Sequence, residues 1–313
     1  MGENALINHY NHTKNATIVE HATHMSLTSI ERLSDVHIPE RLMEIPEPPK
    51  ELFVRGRLPP HDTKHLAIVG SRRYTPYGRD VCETLVRGLA GFPIIIVSGL
   101  ALGIDAIAHR AALDARLTTI ALPGSGISDD VLYPASNREL ARRILEAGGA
   151  LLSEFPPDFR AAPWAFPARN RLMAGLCHAV LIIEAEQKSG TLITARLATE
   201  YNRDVMTVPG PVFSKTSEGP HLLLKLGATP VRTSHDILEA LGWSSESKPN
   251  QAVLIEELSP EEKKVFSALD TPQIRDELIR ALDMPTYKAN ILLSAMELKG
   301  LITESMGEVR RKE

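Results

Sequence analysis

Short apolar segments alternate with amphipathic segments between residues 64 and 208, and this alternation constrains the fold more than any other feature. Continuous apolar strands that alternate with helices are typical of a parallel sheet with helices on both faces. We therefore predict a doubly wound α/β domain. Its strands are expected over residues 65–69, 93–97, 118–122, 179–183 and 205–208, and its helices over residues 77–89, 104–113, 138–147 and 192–201.

The sequence before this domain has a different character. Residues 1–24 are polar and rich in histidine, and a short helical pattern covers residues 25–33. Prolines within residues 45–49 then interrupt any helix. We therefore expect residues 1–63 to form an N-terminal extension that is partly disordered.

The sequence also predicts a second domain at the C-terminal end. The α/β domain is placed at residues 64–242, and the polar residues 243–258 have the composition of a linker. Ser259 and Pro260 are typical of a helix start. A winged-helix domain is predicted over residues 259–313, because a hairpin pattern follows three helical patterns, at residues 261–269, 273–282 and 286–299.

Composition limits the classes of protein. The chain has 313 residues and a formal charge of −4, which excludes a histone-like basic protein. Residues 64–236 nevertheless contain 19 basic and 16 acidic residues, a net of +3. Cys82 and Cys177 lie in apolar segments and are expected to be buried and reduced. Since no Cys/His cluster has zinc spacing and no apolar segment is membrane-length, we expect a cytoplasmic protein without a metal, cofactor or membrane partner.

Candidate anion-binding residues follow the predicted strands, where open α/β sheets bind ligands. A turn of glycine, serine and arginine can direct backbone N–H groups, a hydroxyl and a guanidinium toward a phosphate, although it can also be an ordinary tight turn. Ser and Thr at a helix start can bind an anion or simply cap the helix. The candidates are Gly70, Ser71, Arg72 and Arg73 after the first strand, Ser98, Gly99 and Gly103 after the second, and Lys188, Ser189, Gly190 and Thr191 before a helix.

A basic segment with interleaved aromatic residues lies between Phe159 and Leu176 and contains no acidic residue. Its candidates are Arg169, Asn170 and Arg171, accompanied by Arg160 and by the aromatic residues Phe159, Trp164 and Phe166. Cations for phosphates and aromatic faces for bases are typical of a groove for single-stranded nucleic acid. The alternative is a long loop that packs on the sheet through its aromatic side chains.

Common catalytic motifs are absent from the sequence. It contains no P-loop motif, no His-Glu-x-x-His and no Gly-x-Ser-x-Gly. The glycine-rich residues 123–126 do not complete a dinucleotide fingerprint. His109 lies one turn beyond Asp105 on a predicted helix, and we expect a buried or capping histidine there. We predict no catalytic residues, and so no enzyme.

Taken in order, these motifs resemble the DNA-processing protein A (DprA/Smf) family. The resemblance covers residues 45–240 approximately and rests on Val69-Gly70-Ser71-Arg72, Ser98-Gly99-Leu100-Ala101-Leu102-Gly103-Ile104-Asp105 with His109, Tyr133-Pro134 with Asn137, Phe166-Pro167-Ala168-Arg169-Asn170-Arg171, Ala174-Gly175-Leu176, Glu184-Ala185, Ser189-Gly190-Thr191, Thr194-Ala195, Val208-Pro209-Gly210 and Gly227-Ala228. The C-terminal block is similar to the winged-helix tail of many members.

The resemblance implies an extended Rossmann-like domain that binds single-stranded DNA and forms a homodimer. It also implies loading of the RecA recombinase, protection of incoming DNA during natural transformation, and no catalytic step. The phosphate pocket that it implies uses Gly70, Ser71, Arg72, Ser98, Gly99, Arg169, Asn170, Ser189, Gly190 and Thr191.

Three positions depart from the family pattern. Leu102 stands where a cation is usual, Asn202 replaces a common glycine, and Gly219-Pro220-His221 replaces a common Gly-x-Asn. Other functions also remain open. A nucleotide-processing enzyme is disfavoured because no glutamate follows Gly190-Thr191 before Glu200. A nucleotide sensor could use the same anion pocket, and the winged helix could bind DNA or, as we favour, a protein.

Overall fold

The computed structural model describes residues 29–34, 38–59, 63–243, 259–269, 273–282, 284–298, 301–305 and 307–311. The N-terminal residues 1–28 and most of the predicted linker, residues 244–258, lie outside this part of the chain. Two compact units divide near residue 245. Neither unit, within the described residues, has a helix that is long and apolar enough to cross a bilayer.

The first unit is built on a nine-stranded sheet with the order β1-β2-β6-β5-β4-β3-β7-β8-β9. All strands from β3 to β9 pair in parallel, while β1 and β2 form an antiparallel edge. The prediction of a mostly parallel, doubly wound sheet is confirmed. The strands are β1 Ile30–Ser34, β2 Glu51–Gly56, β3 Lys64–Val69, β4 Ile94–Ser98, β5 Thr119–Ala121, β6 Ala150–Ser153, β7 Ala179–Ile182, β8 Asp204–Thr207 and β9 Thr229–Pro230.

Helices cover both faces of this sheet. They are α1 Glu40–Met43, α2 Pro76–Arg87, α3 Ile104–Asp114, α4 Arg138–Glu146, α5 Ala165–Leu176, α6 Thr191–Glu200, α7 Glu218–Lys225 and α8 Ser234–Ala240. Alternate residues of β3 show the two-sided burial: Ala67 and Val69 join one apolar cluster, whereas Leu66 and Ile68 join another. Because successive side chains of a strand point to opposite faces, a strand buried on both sides must be apolar throughout.

The sheet begins earlier in the chain than the sequence pattern indicated. The helix expected over residues 25–33 is wrong for its described part, because Ile30–Ser34 forms β1. This strand pairs with β2, and β2 pairs antiparallel with β6, so both belong to the same sheet as β3. Long-range pairing therefore overrides the local helical pattern here. The α/β unit consequently includes residues well before residue 64.

The basic and aromatic segment is also helical where we expected a loop. Residues Ala165–Leu176 form α5, and Pro167 falls in its first turn, where a missing N–H group is tolerated. Leu172, Met173 and Leu176 are buried in the core cluster on one face of the sheet. The helix therefore fixes the directions of Arg169, Asn170 and Arg171.

The second unit has the predicted winged-helix outline. Its helices are α9 Pro260–Ala268, α10 Arg275–Ala281 and α11 Thr286–Leu298, and its strands are β10 Gln273–Ile274, β11 Ile302–Ser305 and β12 Glu308–Arg311. The three strands form an antiparallel sheet in the order β10-β12-β11. Ser259 caps α9 and exchanges hydrogen bonds with Glu262 in a capping box. Helix α10 starts later than expected, because residues 273 and 274 pair with β12.

Candidate functional site

A pocket of about 420 Å³ lies at the carboxyl ends of the central strands. The chain moves from β3 toward β4 on one side, and β7 pairs with β3 on the other side. This reversal makes a topological switch point, where the loops after two neighbouring strands separate and leave a crevice. The loop after β3, the loop before α6 and the first half of α5 line the pocket.

The pocket brings together ten of the fourteen residues that the sequence singled out. They are Gly70, Ser71, Arg72, Arg73, Arg169, Asn170, Lys188, Ser189, Gly190 and Thr191. The other four, Ser98, Gly99, Gly103 and Arg171, do not line it. Two carboxylate residues, Asp105 and Glu186, also line the pocket, and we did not include either among the site residues.

Three exposed cations surround the pocket: Arg72, Arg73 and Lys188. None of them is in an ion pair with any residue that the structure describes. The Arg72 guanidinium lies 5.1 Å from the centroid of the Phe166 ring, a cation–π arrangement. Ser71 shapes the loop, because its Oγ accepts a hydrogen bond from the Arg73 N–H at 3.0 Å and donates one to the Arg73 carbonyl oxygen at 2.8 Å.

Arg169 has a different environment although it also reaches the pocket. Its side chain is buried, and its Nη1 donates to the carbonyl oxygens of Gly99, at 2.7 Å, and Leu122. Burial lowers the pKa of Arg169 to about 10, so the guanidinium remains protonated at neutral pH. The residue contributes positive charge from below the pocket floor while it holds the loops after β4 and β5 together.

The loop after β4 packs around this guanidinium. The Gly99 N–H donates to Oδ2 of Asp105 at 3.1 Å, and burial raises the pKa of the Asp105 carboxyl. A Cβ atom on Gly99 would lie 2.2 Å from Nη1 of Arg169, so no other residue fits without movement. Asn137, which is buried, donates to the carbonyl oxygens of Leu100 and Ala101 at 2.8 and 3.2 Å. These contacts fix a loop in which Leu100 has a φ of 57°.

Ser98 and Gly103 serve the architecture of the site and do not line its surface. Ser98 is fully buried, and its Oγ donates to the Ile68 carbonyl oxygen at 2.6 Å. Gly103 has a φ of 85°. A Cβ atom there would lie 2.3 Å from the Ser71 carbonyl oxygen. The sequence pattern grouped loops that meet at the pocket, but it did not separate residues that shape these loops from residues that face the pocket.

Gly190 contrasts with these packed glycines. It precedes the first residue of α6 with a right-handed φ of −58°, and a Cβ atom on it would meet nothing within 4 Å. The fold itself therefore does not require glycine at this position. Ser189 Oγ accepts the Thr191 N–H at 3.2 Å. The open space lies at the positive end of the helix dipole, where an anion is stabilised.

Arg171 points away from the pocket. Its guanidinium is in an ion pair with Glu154, and Nη1 donates to the Glu47 carbonyl oxygen at 2.7 Å. Arg171 is two residues beyond Arg169, and a separation of two residues places side chains on nearly opposite sides of a helix. The helical structure of α5, which the sequence pattern did not indicate, is the reason these two arginines differ.

A buried carboxylate that we did not include among the site residues supports the loop after β3. Glu184 Oε2 accepts the Thr75 N–H at 2.9 Å, and Oε1 accepts the hydroxyls of Thr75 and Thr216 at 2.6 and 2.9 Å. Thr75 caps α2, just after the cationic residues Arg72 and Arg73. The one signal in the sequence was that Glu184 lies in a motif shared with the resembled family.

Buried histidine and cysteine side chains agree with expectation. His109 is fully buried, with Nδ1 2.7 Å from Thr119 Oγ1, and burial lowers its pKa to about 3. The Thr119 hydroxyl donates its hydrogen bond to the Ile96 carbonyl oxygen, so in the contact between His109 and Thr119 it is Nδ1–H of His109 that donates. Cys82 and Cys177 are both buried and form no disulfide, and burial raises the pKa of each thiol.

The three departures from the family pattern have distinct surroundings. Leu102 is 50% exposed beside the pocket residue Ala101. Asn202 has a φ of 54°, a left-handed conformation that glycine favours and asparagine tolerates. His221 is half-buried, with Nε2 3.1 Å from the Gly210 carbonyl oxygen.

Comparison with known proteins gives consistent matches. The family profile of DNA recombination-mediator protein A matches residues 29–242, and that of the DprA winged helix domain matches residues 249–308. Protein Smf of Escherichia coli K12 is 41% identical over 245 residues, which cover 75% of this chain and 62% of that protein. DprA of Streptococcus pneumoniae R6 is 40% identical over 200 residues, 64% of this chain and 70% of the relative.

Solved structures also match this fold. The X-ray structure of DprA from Streptococcus pneumoniae has a TM-score of 0.62 and 37% identity, covering 68% of this chain and 75% of that one. The structure of DprA from Helicobacter pylori has a TM-score of 0.61 and 34% identity, and the match covers 69% of this chain and 98% of that one. The chain spans less than two thirds of the length of the Escherichia coli relative. The profile match over residues 29–242 and these identities show that the chain belongs to the DNA recombination-mediator protein A (DprA/Smf) family of DNA-processing proteins.

Proposed function

We propose that the first unit binds single-stranded DNA, with a backbone phosphate in the pocket at the switch point. The observation that carries this proposal is the set of three exposed, unpaired cations, Arg72, Arg73 and Lys188, around that pocket. Phosphate contacts supply most of the affinity of proteins for nucleic acid without sequence preference. The Helicobacter pylori relative is reported to have a single-stranded DNA binding mode, which supports the same ligand class here.

Aromatic side chains beside the cations favour a strand over an isolated phosphate. The Phe166 ring lines the pocket beneath Arg72, and its centroid lies 5.7 Å from that of Tyr133. Tyr133 is 46% exposed. An unpaired base can stack on such rings while its phosphate is bound by the cations, and the bases of a duplex are not available for this contact.

We propose that this unit acts by binding and does not catalyse a reaction. Asp105 is a buried carboxylate held by the Gly99 N–H, and His109 is buried outside the pocket with a pKa near 3. Asp105 does line the pocket, but its carboxylate is buried and is held by the Gly99 N–H beside the charge of Arg169, so we assign it no proton transfer to a bound strand. Among the residues that line the pocket, no nucleophile has a general base and an orienting group beside it.

The cellular role that we propose follows from family membership. A chain that covers single-stranded DNA is suited to protect incoming strands in the cytoplasm and to load RecA recombinase on them during transformation and recombination. The test is a RecA strand-exchange assay on DNA already coated by a single-strand-binding protein. Wild-type chain should shorten the lag before exchange, and Arg72→Ala should not.

We also propose a homodimer, formed through the edge of the sheet that ends in β9. Val212 is 77% exposed and Phe213 is fully exposed, and Leu222 on α7 and Leu226 directly after it are also exposed. Large exposed apolar side chains grouped at one edge are typical of an interface. Phe213→Glu should shift the sedimentation coefficient to that of a monomer, whereas an unchanged dimer would assign the interface to another surface.

Fluorescence anisotropy with three competitors tests the DNA proposal. Labelled oligo(dT) should bind and be displaced by unlabelled single strands, but poorly by duplex DNA or by mononucleotides. Arg72→Ala should weaken binding and lower the salt slope by about 0.7, the value for one lost phosphate contact on a single strand. Arg87→Ala is the matched control, because Arg87 is exposed at the C-terminal end of α2. This end of the helix lies near the amino ends of the strands, away from the pocket. Displacement by mononucleotides alone would instead favour the nucleotide sensor.

A further inference from the structure

We propose that Trp164 and Arg160 form a second nucleotide subsite, in which the indole stacks on the base next to the nucleotide held in the pocket. This inference rests on the proposed binding of single-stranded DNA. Neither residue lines the pocket, so the subsite lies beside it. Its ligand is a nucleobase with its phosphate, and stacking on an aromatic face accepts any of the four bases.

The indole of Trp164 is held in a fixed orientation but remains open. It is 59% exposed, an unusual exposure for the largest apolar side chain. Its ring centroid lies 5.5 Å from those of Phe155 and Phe159, at interplanar angles of 84° and 60°. Phe155 and Phe159 stack on each other at 4.6 Å. A ring already oriented by two others loses little conformational freedom when a base stacks on it.

The position of Trp164 is continuous with the pocket. It directly precedes α5, and Phe166, two residues further on, lines the pocket wall. The loop after β5 links the two residues, because a Cβ atom on Gly124 of that loop would lie 2.5 Å from Cδ1 of Phe166. The Phe159 carbonyl oxygen accepts the Gly126 N–H at 2.8 Å, which anchors the three-ring cluster beside the loop after β5. The cluster therefore lies at the carboxyl ends of the strands, as the pocket does.

The charge around Trp164 suits a phosphate. Arg160 is exposed and has no ion-pair partner among the described residues. The nearest acidic residues in sequence are Asp158, which is exposed, and Glu154, which is already in an ion pair with Arg171. Apolar side chains alone would fit a protein partner equally well. Arg160, however, directly follows Phe159, whose ring contacts the indole, and an aromatic face with a cation nearby in the chain matches the alternating base and phosphate of a strand.

Intrinsic fluorescence tests this subsite directly, because the chain has only two tryptophans. The Trp243 ring packs against that of Phe92, with centroids 5.9 Å apart. Phe92 precedes β4 and so lies at the amino ends of the strands, whereas the pocket lies at their carboxyl ends. In Trp243→Phe protein, all tryptophan emission comes from Trp164. Oligo(dT) should quench this emission in parallel with the anisotropy change. A thymidine mononucleotide should not quench it, because it would fill the pocket alone.

Three variants separate stacking from charge. Trp164→Ala should weaken oligo(dT) binding about tenfold without changing the salt slope, and Trp164→Phe should restore most of the affinity. Arg160→Ala should lower the salt slope by about 0.7. Thermal melting of each variant checks that the fold is intact.

The outcomes distinguish this subsite from the pocket. Binding by anisotropy with no change in Trp164 emission, or equal affinity of Trp164→Ala, would overturn the subsite and leave the pocket proposal intact. If oligo(dT) binds neither wild-type protein nor Trp243→Phe, then the subsite proposal and the pocket proposal are both overturned.

Discussion

Nη1 of Arg169 lies 2.7 Å from the carbonyl oxygen of Gly99, and this contact separates the arginines of the site into two kinds. Arg169 is enclosed by backbone carbonyls and a buried carboxylate, whereas Arg72 lies over an aromatic ring with its charge exposed to solvent. The first kind maintains the shape of the pocket and the second is available to a ligand. Substitutions should therefore affect either stability or binding, according to which arginine is changed.

Removal of the buried guanidinium should destabilise the fold. Arg169→Ala leaves two carbonyl oxygens without their donor and Asp105 without its neighbouring positive charge. We expect the free energy of unfolding to fall by about 3 kcal/mol in urea denaturation. Arg73→Ala, at an exposed position, should change it by less than about 0.5 kcal/mol. Equal stabilities of the two variants would contradict this role.

Arg171→Ala should behave unlike Arg72→Ala, although the sequence pattern treated both as phosphate ligands. Arg171 is largely buried beside Glu154 and contacts the Glu47 carbonyl oxygen. Its loss should lower the free energy of unfolding by about 1 to 2 kcal/mol and leave the salt slope of DNA binding unchanged. Titrations with oligo(dT) at several salt concentrations measure the slope. A decrease as large as that of Arg72→Ala would show that Arg171 does contact the strand.

The two glycines beside the pocket should respond oppositely to alanine. Gly190→Ala fits the open space and the right-handed backbone, so its melting temperature should match or exceed that of wild type. Its DNA affinity should fall, because the methyl group occupies the space for a phosphate oxygen. Gly103→Ala forces a side chain into a φ of 85° and against the Ser71 carbonyl oxygen, and should lower the melting temperature. Unchanged DNA affinity of Gly190→Ala would show that no anion approaches this helix end.

Leu102→Lys should strengthen DNA binding. Leu102 is half exposed beside the pocket, so a lysine fits without repacking the core. An added cation within reach of the strand should increase the salt slope by about 0.7 and the affinity about threefold near physiological salt. Leu102→Gln is the neutral control of similar length. If both variants bind alike, then this position lies outside the path of the strand.

Stability should fall in mild acid because the fold holds two histidines in the neutral form. Burial lowers the pKa of His109 to about 3 and that of His178 to about 4, below the value of 6.5 for an exposed histidine. Between pH 6.5 and these values the unfolded chain binds protons that the folded chain does not. The fully buried His109 should therefore remove up to about 1.4 kcal/mol of unfolding free energy per pH unit as the pH falls, and the half-buried His178 should remove less because solvent screens it. Urea denaturation at several pH values measures this effect. In His109→Gln, the free energy of unfolding should change less steeply with pH than in wild type.

The sequence alone determined the class of fold and the loops that form the site. Two local patterns made most of the elements recognisable. Strands buried on both faces appear as continuous apolar segments, as in β3, β4, β7 and β8. Helices buried on one face show a helical period, as in α2, α3, α4 and α6. Their order implies a parallel sheet, and a parallel sheet places the following loops at one edge. Ten of the fourteen site residues could be grouped for that reason.

Only the tertiary structure decided what each of those residues does. Strands β1 and β2 join the sheet through pairing with distant segments, and α5 is fixed by packing on the core, so neither has a reliable local signal. Arg72, Arg169 and Arg171 are chemically identical in the sequence. One is exposed over Phe166, one is buried under the loops, and one is tied to Glu154, because burial and partners depend on residues far away in the chain.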